Sequence, residues 1–437
     1  MKKKEDRIVI LGAGVTGLSA AHRLSYSLGN KDIVIIEKEN CVGGTARTLR
    51  NGGFQFDLTG HALHLNNKKI KRFILNDLQL AKELLLVKRK AAIFLKGRFI
   101  PYPFQYHLAF LDKKTRDYCL NTFLSANKCK NQSKVDSIEN EQDISFKEYS
   151  YAMFGEGISD LFLIPYNEKL WSFDLNQLST GWLKNFFPKP DVSRILSGAR
   201  YKKINEYGYN TTFFYPKKGG IQRLSEKIAK HIENKILLNH TIEKIDLYNK
   251  SVEGDNFEIS YDKLISTIPL PLFLKYTNQE NFKQKLKWTI IRAFFISVPK
   301  NRSPKYSWLY LPDPEIDAYR MGNFSMFSKS LRIKNKDLLW IECSKSNLEM
   351  RNLPTIDDII SQLHETSLLN REEIDHIATI DINPAYVIYD KNHNIILNKI
   401  AEWLTNYDLK LAGRYGSWQY ISMEQCIKDG FRVADEL

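Results

Sequence analysis

Residues 8–24 read IVILGAGVTGLSAAHRL. The unbroken apolar run Ile8-Val9-Ile10-Leu11 predicts a strand buried on both faces, the glycines after it a tight turn, and the alanine-rich stretch a helix. A second apolar run, Ile33-Val34-Ile35-Ile36, predicts another buried strand that ends at Glu37. Farther along, ILLNHTIEKI (236–245) alternates and predicts one strand, while FEISYDKLISTIPL (257–270) runs from a strand into a turn at Pro269. Leu411-Ala412-Gly413-Arg414-Tyr415-Gly416 predicts a last strand and turn, with a helix beyond residue 422. Residues 102–200 are mostly helical by pattern, with a polar stretch around 127–142, and 275–380 alternate strands and helices. There is no internal repeat and no low-complexity linker.

The first turn carries chemistry. In Gly12-x-Gly14-x-x-Gly17, the first glycine permits the turn, the second lets backbone approach a pyrophosphate, and the third lets the helix pack close to the strand. The helix N-terminus then offers free N–H groups and the positive end of its dipole to phosphates. Glu37, 20 residues past Gly17, stands where a carboxylate accepts ribose hydroxyls. A second glycine pair, Gly43-Gly44, favours FAD over NAD, because the longer dinucleotide needs another close backbone approach. Ala13, Thr16, Lys38 and Thr45, on the same two turns, complete this candidate cofactor set.

Composition narrows the classes. The chain has 437 residues, 43% hydrophobic, 26% charged and 12% aromatic, an ordinary globular mix that excludes a disordered, collagen-like or disulfide-scaffold chain. No run approaches the ~20 apolar residues of a spanning helix, so membrane insertion is not expected. Five scattered cysteines without a Cys-x-x-Cys offer no metal site and fit a reducing cytoplasm. The net charge of +14 reads either as solvated lysine faces or as attraction to an anionic partner. No nucleic-acid module accompanies it. Lys2-Lys3-Lys4 before the first apolar run imitates a signal peptide, but the run stops at Gly12, too early for one.

Together the two glycine stretches resemble those of the amine oxidase and protoporphyrinogen oxidase superfamily of flavoproteins. That resemblance implies an α/β fold: a Rossmann-like FAD-binding domain with an inserted helical domain and an inserted antiparallel sheet domain. The FAD domain would be discontinuous (1–85, 216–272 and 385–437), the mostly helical substrate domain 102–200, and the sheet-containing substrate domain 86–101, 201–215 and 273–384.

Six further stretches resemble one branch, the UDP-galactopyranose mutases of eukaryotic type. Thr59-Gly60-His61 resembles a Gly-Gly-His loop facing the flavin. Ile100-Pro101-Tyr102-Pro103-Phe104-Gln105 is similar to the segment that holds uracil, and Pro165-Tyr166-Asn167-x-x-x-Trp171 to a second nucleoside segment. Asn167 and Trp171, at i and i+4, would share one helix face. Trp308-Leu309-Tyr310 through Arg320 resembles the diphosphate pair, and arginine suits that task because its planar fork matches phosphate oxygens. Asn210 matches a position near the phosphates. Gly413-Arg414 through Tyr420 resembles a segment whose arginine lies by the flavin and whose last tyrosine reaches the diphosphate, with Met423 and Glu424 following. Tyr389 matches another substrate tyrosine more loosely.

The resemblance implies a FAD-dependent pyranose/furanose mutase of a UDP-sugar in surface glycan biosynthesis, acting through a reduced-flavin N5 sugar adduct. His61 and Arg320 would be catalytic, and NAD(P)H the external reductant. The UDP-sugar would be the partner, without nucleic acid, with monomer and homo-oligomer both open. The chain departs from the branch at three points: Phe186 replaces a mobile-loop arginine, with Lys184 and Lys189 nearby; Phe327 replaces a tyrosine; Glu424 replaces an asparagine. A FAD-dependent oxidase or desaturase would share the fold and both glycine stretches.

Overall fold

Ile8–Leu11 is the central strand of a five-stranded, wholly parallel sheet. The spatial order is Leu409–Leu411, Lys263–Ser266, Ile8–Leu11, Ile33–Ile36 and Ile236–Leu237. All four residues of the central strand are fully buried, as expected of a parallel strand covered on both faces. The helix Val15–Ser27 follows the glycine turn and packs against the C-terminal helix Met423–Asp435. Gly430 allows that approach, since a Cβ there would lie 2.5 Å from the Thr16 carbonyl oxygen. The chain leaves the central strand toward Ile33–Ile36 and returns on its other side through Lys263–Ser266. The carboxyl ends of these strands therefore flank a topological switch point, where open α/β sheets bind ligands.

The computed structural model describes residues 7–27, 32–128, 144–183, 190–204, 211–349 and 353–437. The chain divides into two compact units, 1–87 with 213–286 and 394–437, and 88–212 with 287–393. The first holds the parallel sheet and a three-stranded antiparallel sheet, Ile242–Asp246, Ser251–Gly254 and Phe257–Ser260. ILLNHTIEKI is not one strand. It breaks at Asn239 (φ 58°), a residue that tolerates the left-handed region, and its halves join different sheets. The helix Met423–Asp435 begins where the sequence places it, with a Ser422/Gln425 capping box.

The second unit is built on a seven-stranded sheet in the order Asp375–Ile382, Thr289–Pro299, Lys336–Ser346, Arg320–Asn323, Trp308–Tyr310, Ala91–Leu95 and Arg98–Pro101. Every neighbouring pair is antiparallel except Trp308–Tyr310 with Ala91–Leu95. Phe94, Phe294, Leu309, Leu339 and Ile341 on this sheet pack with Leu363 of the helix Ile356–Glu365. The helices Lys113–Lys128 and Phe146–Ile158 meet through Gly157, where a Cβ would lie 2.6 Å from the Cys119 Cα. The helical and sheet insertions thus form one unit. Residues 385–393 belong to it too, tied by the Ser179 N–H donating to the Tyr389 carbonyl at 2.7 Å. Among the described residues no helix is long and apolar enough to cross a membrane.

In the first unit a buried acid joins the hairpin that carries it to the segment 215–221. Asp57 accepts from the Thr48 hydroxyl (2.6 Å), the Ile221 N–H (3.0 Å) and the Tyr215 hydroxyl (2.7 Å). Burial pushes its pKa from the usual 3.8 up to about 6, against those three hydrogen bonds. A raised pKa means the folded state holds the proton more tightly, so this group's contribution is full below about pH 4 and is lost as pH rises through about 6. Asp57→Asn keeps an acceptor for Thr48 and Ile221, and the Tyr215 hydroxyl can turn to accept from the new amide. Its melting temperature at pH 7 should match or exceed that of the native chain, with a flatter profile between pH 4 and 7. Asp57→Ala strands three donors and should lose about 3 kcal/mol. Equal destabilisation by both substitutions at pH 7 would contradict this account.

Candidate active site

The glycine turn is tightly made. Gly12 has φ 97°, and a Cβ on Gly17 would lie 2.1 Å from the Gly12 carbonyl oxygen, so helix and strand touch here. Glu37 is buried and oriented by two backbone donors, Ala13 N–H at 2.7 Å and Glu39 N–H at 3.0 Å. The second glycine pair lies directly on the first turn: the Gly43 N–H donates to the Ala13 carbonyl (2.9 Å), and Gly14 and Gly43 form a parallel bridge. Thr45 and Gly60 are half-buried, while Lys38 is exposed, 3.7 Å from Glu39.

The C-terminal segment meets the same turn. A Cβ on Gly413 would lie 2.3 Å from the Thr16 Oγ1, and the Gly413 N–H donates to Asp429 at 2.6 Å. Arg414 donates to the Ile421 carbonyl (3.2 Å) and lies 4.6 Å from the centre of the Tyr420 ring. Met423 opens the last helix. Glu424 accepts from the Asn67 N–H at 2.6 Å and so ties down a neighbouring helix start. His61 Nδ1 is 3.0 Å from the Thr59 carbonyl. A carbonyl only accepts, so a neutral ring carries its proton on Nδ1.

In the second unit, strand register joins Tyr310 to Arg320, and Arg320 to Glu342. Arg320 Nε donates to Glu342 Oε2 at 2.7 Å and Nη2 to the Tyr386 hydroxyl at 3.1 Å. The guanidinium lies 5.2 Å and 5.5 Å from the Tyr319 and Trp340 ring centres. Burial works most strongly against its charge, but Glu342 together with Tyr319, Tyr386 and Tyr166 holds its pKa well above the ordinary value. Tyr310 stacks on Tyr102 (4.8 Å, 28°). Its hydroxyl accepts from Arg89, whose guanidinium also lies over Tyr102 and Trp308.

The helix Ile164–Trp171 bears out the i, i+4 reading: the Trp171 indole N–H donates to Asn167 Oδ1 at 3.1 Å, and both side chains are buried. On this helix Lys169 donates to the carbonyls of Asp313 (2.8 Å), Ile316 (2.7 Å) and Ala318 (3.1 Å), fixing the loop that leads into Arg320. Burial lowers its pKa to about 8 despite Asp313 nearby. Phe104 is fully buried and stacks on Phe162 (5.5 Å, 27°), with Gln105 buried beside it in sequence. Phe327 stacks on Trp308 at 4.9 Å.

Tyr386 touches Arg320, while Tyr389 stacks on His393 at 4.2 Å. Asn210, Lys184, Phe186 and Lys189 lie outside the described residues. Sequence reasoning missed Arg89, Lys169, Glu342 and Tyr386. Only Glu342 left a signal, as a lone acid within the apolar run 338–343.

The profile of the family described as flavin containing amine oxidoreductase matches residues 15–296. The chain belongs to this family. Among characterised relatives of the chain, coproporphyrinogen III oxidase of Staphylococcus aureus is 24% identical over 294 residues, 62% of either chain. The chain thus spans less than two thirds of that relative's length. The 4,4'-diapophytoene desaturase of the same organism is 48% identical over 52 residues, 12% of this chain and 10% of its own. Of solved structures, reduced UDP-galactopyranose mutase superposes with a TM-score of 0.88 at 26% identity, covering 99% of this chain and 94% of its own. A putative protoporphyrinogen oxidase from Exiguobacterium sp. 255-15 has the same fold at TM-score 0.75 and 16% identity, covering 99% and 98%.

The family implies FAD, and the first unit fits it. A Cβ on Gly14 would meet nothing closer than the Gly44 Cα at 3.9 Å, so the protein's own packing does not demand a glycine there. Gly14 and Gly44 leave a bare backbone surface beside the start of the helix Val15–Ser27, as a pyrophosphate requires. Glu37 keeps lone pairs for ribose hydroxyls beyond its two backbone bonds.

Proposed function

We propose that this flavin-dependent enzyme is a mutase that interconverts the pyranose and furanose forms of a UDP-sugar, such as UDP-galactopyranose, in surface glycan synthesis. The observation that carries the reading is Arg320, a half-buried guanidinium clamped at Nε and at one terminal nitrogen. Its Nη1 has no partner among the described residues, so the end of the fork is left for an anion. The likeness to reduced UDP-galactopyranose mutase over 99% of the chain supports it.

Gly12, Gly14, Gly43, Gly44, Glu37 and the Gly413-Arg414 segment would hold the flavin. Reduced flavin supplies, when bound, a nucleophile for the anomeric carbon, with NAD(P)H as the proposed reductant. Arg320 pairs with the diphosphate oxygens and stabilises the charge of departing UDP, and the Tyr310 hydroxyl adds a hydrogen bond. Asn167, Trp171, Phe104 and Gln105 hold the nucleoside. His61, held through Nδ1 at the Thr59 carbonyl, would stand beside the flavin.

The test is to supply UDP-galactopyranose to dithionite-reduced protein and assay furanose product. A second reading, an oxidase or desaturase, is favoured by the likeness to coproporphyrinogen III oxidase. Oxygen consumption on a porphyrinogen without any furanose product would replace the mutase reading with it. Trp171→Ala should weaken UDP and UDP-sugars by similar factors, about tenfold, measured by flavin fluorescence. A loss confined to one sugar would contradict its nucleoside role.

A further inference from the structure

Glu342 is fully buried in the middle of the strand Lys336–Ser346. Its Oε2 serves two donors, the Tyr319 hydroxyl and Arg320 Nε. Its Oε1 is sealed from solvent without a partner among the described residues. A sheet interior gains little from such a carboxylate, because burying an ion pair is costly and an apolar pair of similar volume is often as stable. The geometry also uses the fork unevenly. Arg320 could give Glu342 two parallel hydrogen bonds, yet only Nε is engaged. Nη2 goes to Tyr386 instead, 3.1 Å away. The rings of Tyr319 and Trp340 limit rotation of the guanidinium plane.

We propose that Glu342 is the positioning residue of Arg320. It takes the one N–H that cannot join an end-on grip and turns the Nη1–Nη2 edge toward the diphosphate. This rests on the UDP-sugar reading above and adds a residue to it. Glu342 touches no substrate itself, since its free oxygen is enclosed. Its effect passes entirely through the orientation of the arginine, and Tyr319 and Tyr386 complete the frame.

Titration of the native holoenzyme with UDP tests the substrate reading, and the ratio of UDP to uridine dissociation constants in variants tests the positioning role. Glu342→Leu should raise the UDP constant about 30-fold and leave that of uridine within about twofold, because uridine has no phosphate for Arg320 to meet. In an Arg320→Ala background the same change should not affect the UDP constant further. An unchanged UDP-to-uridine ratio in Glu342→Leu, or additive losses in the double variant, overturns the proposal. If Glu342→Leu does not fold and retain flavin, Glu342→Gln decides. Its amide oxygen still accepts from Nε, so UDP affinity should stay within about fivefold of native, and a larger loss overturns the proposal.

Discussion

Arg320→Ala should weaken UDP binding about a hundredfold or more while the holoenzyme keeps its flavin absorbance. Two charge-assisted hydrogen bonds to phosphate, each worth about 1.5–3 kcal/mol, account for a loss of that size. Arg320→Lys should fall well short of native, since an ammonium keeps the charge but cannot reproduce a planar fork held by Glu342 and Tyr386. The alanine variant also strands the buried Glu342 carboxylate, so it should melt at a lower temperature. Flavin retention serves as the internal control, because the glycine turn and Arg320 belong to different compact units. The measurement is a UDP titration followed by flavin fluorescence. UDP affinity within threefold of native would mean that Arg320 does not hold the diphosphate.

Gly14→Val should give a folded protein without flavin. The native backbone leaves room for the side chain's first carbon, 3.9 Å from its nearest neighbour, and Gly14 does not have a positive φ. Apoprotein stability should therefore change little. A pyrophosphate at the start of the helix Val15–Ser27 needs the same space, so FAD affinity should fall by about a hundredfold or more. Gly17 offers the contrast. A Cβ there would sit 2.1 Å from the Gly12 carbonyl oxygen, so even Gly17→Ala should disturb the strand–helix contact and lower stability and flavin content together. Absorbance of the purified proteins and melting curves of their apo forms check both. A Gly14→Val protein that stays yellow would mean that no phosphate approaches this turn.

These two predictions differ in how much of them was legible in the chain. The glycine turn, its flanking strands and Glu37 could be read directly, because one uninterrupted βαβ passage of about thirty residues places them. The Asn167–Trp171 pair was readable for the same reason, being one helical turn apart. The surroundings of Arg320 were not. Its counter-charge lies 22 residues away and its tyrosine 66 residues away; cross-strand register selects Glu342, and the bonding of the Tyr386 backbone to Thr289 brings in Tyr386. Tyr389 is three residues from Tyr386, yet it faces His393. The alternation of ILLNHTIEKI also misled, because periodicity cannot show that Asn239 turns the chain from one sheet to another.

By itself the sequence determined a dinucleotide-binding turn with a second glycine approach, a parallel sheet behind it, and a helix carrying an amide beside an indole. All three depend on contacts spanning a few residues or one supersecondary unit, where backbone geometry leaves few alternatives. Only the tertiary structure decided which partners clamp Arg320, which lysine fixes the loop before it, and that the helical and sheet insertions form one body. Those depend on contacts between distant segments; for Arg320 and Glu342 the contact is strand pairing, where a shift of one residue would turn every side chain to the opposite face.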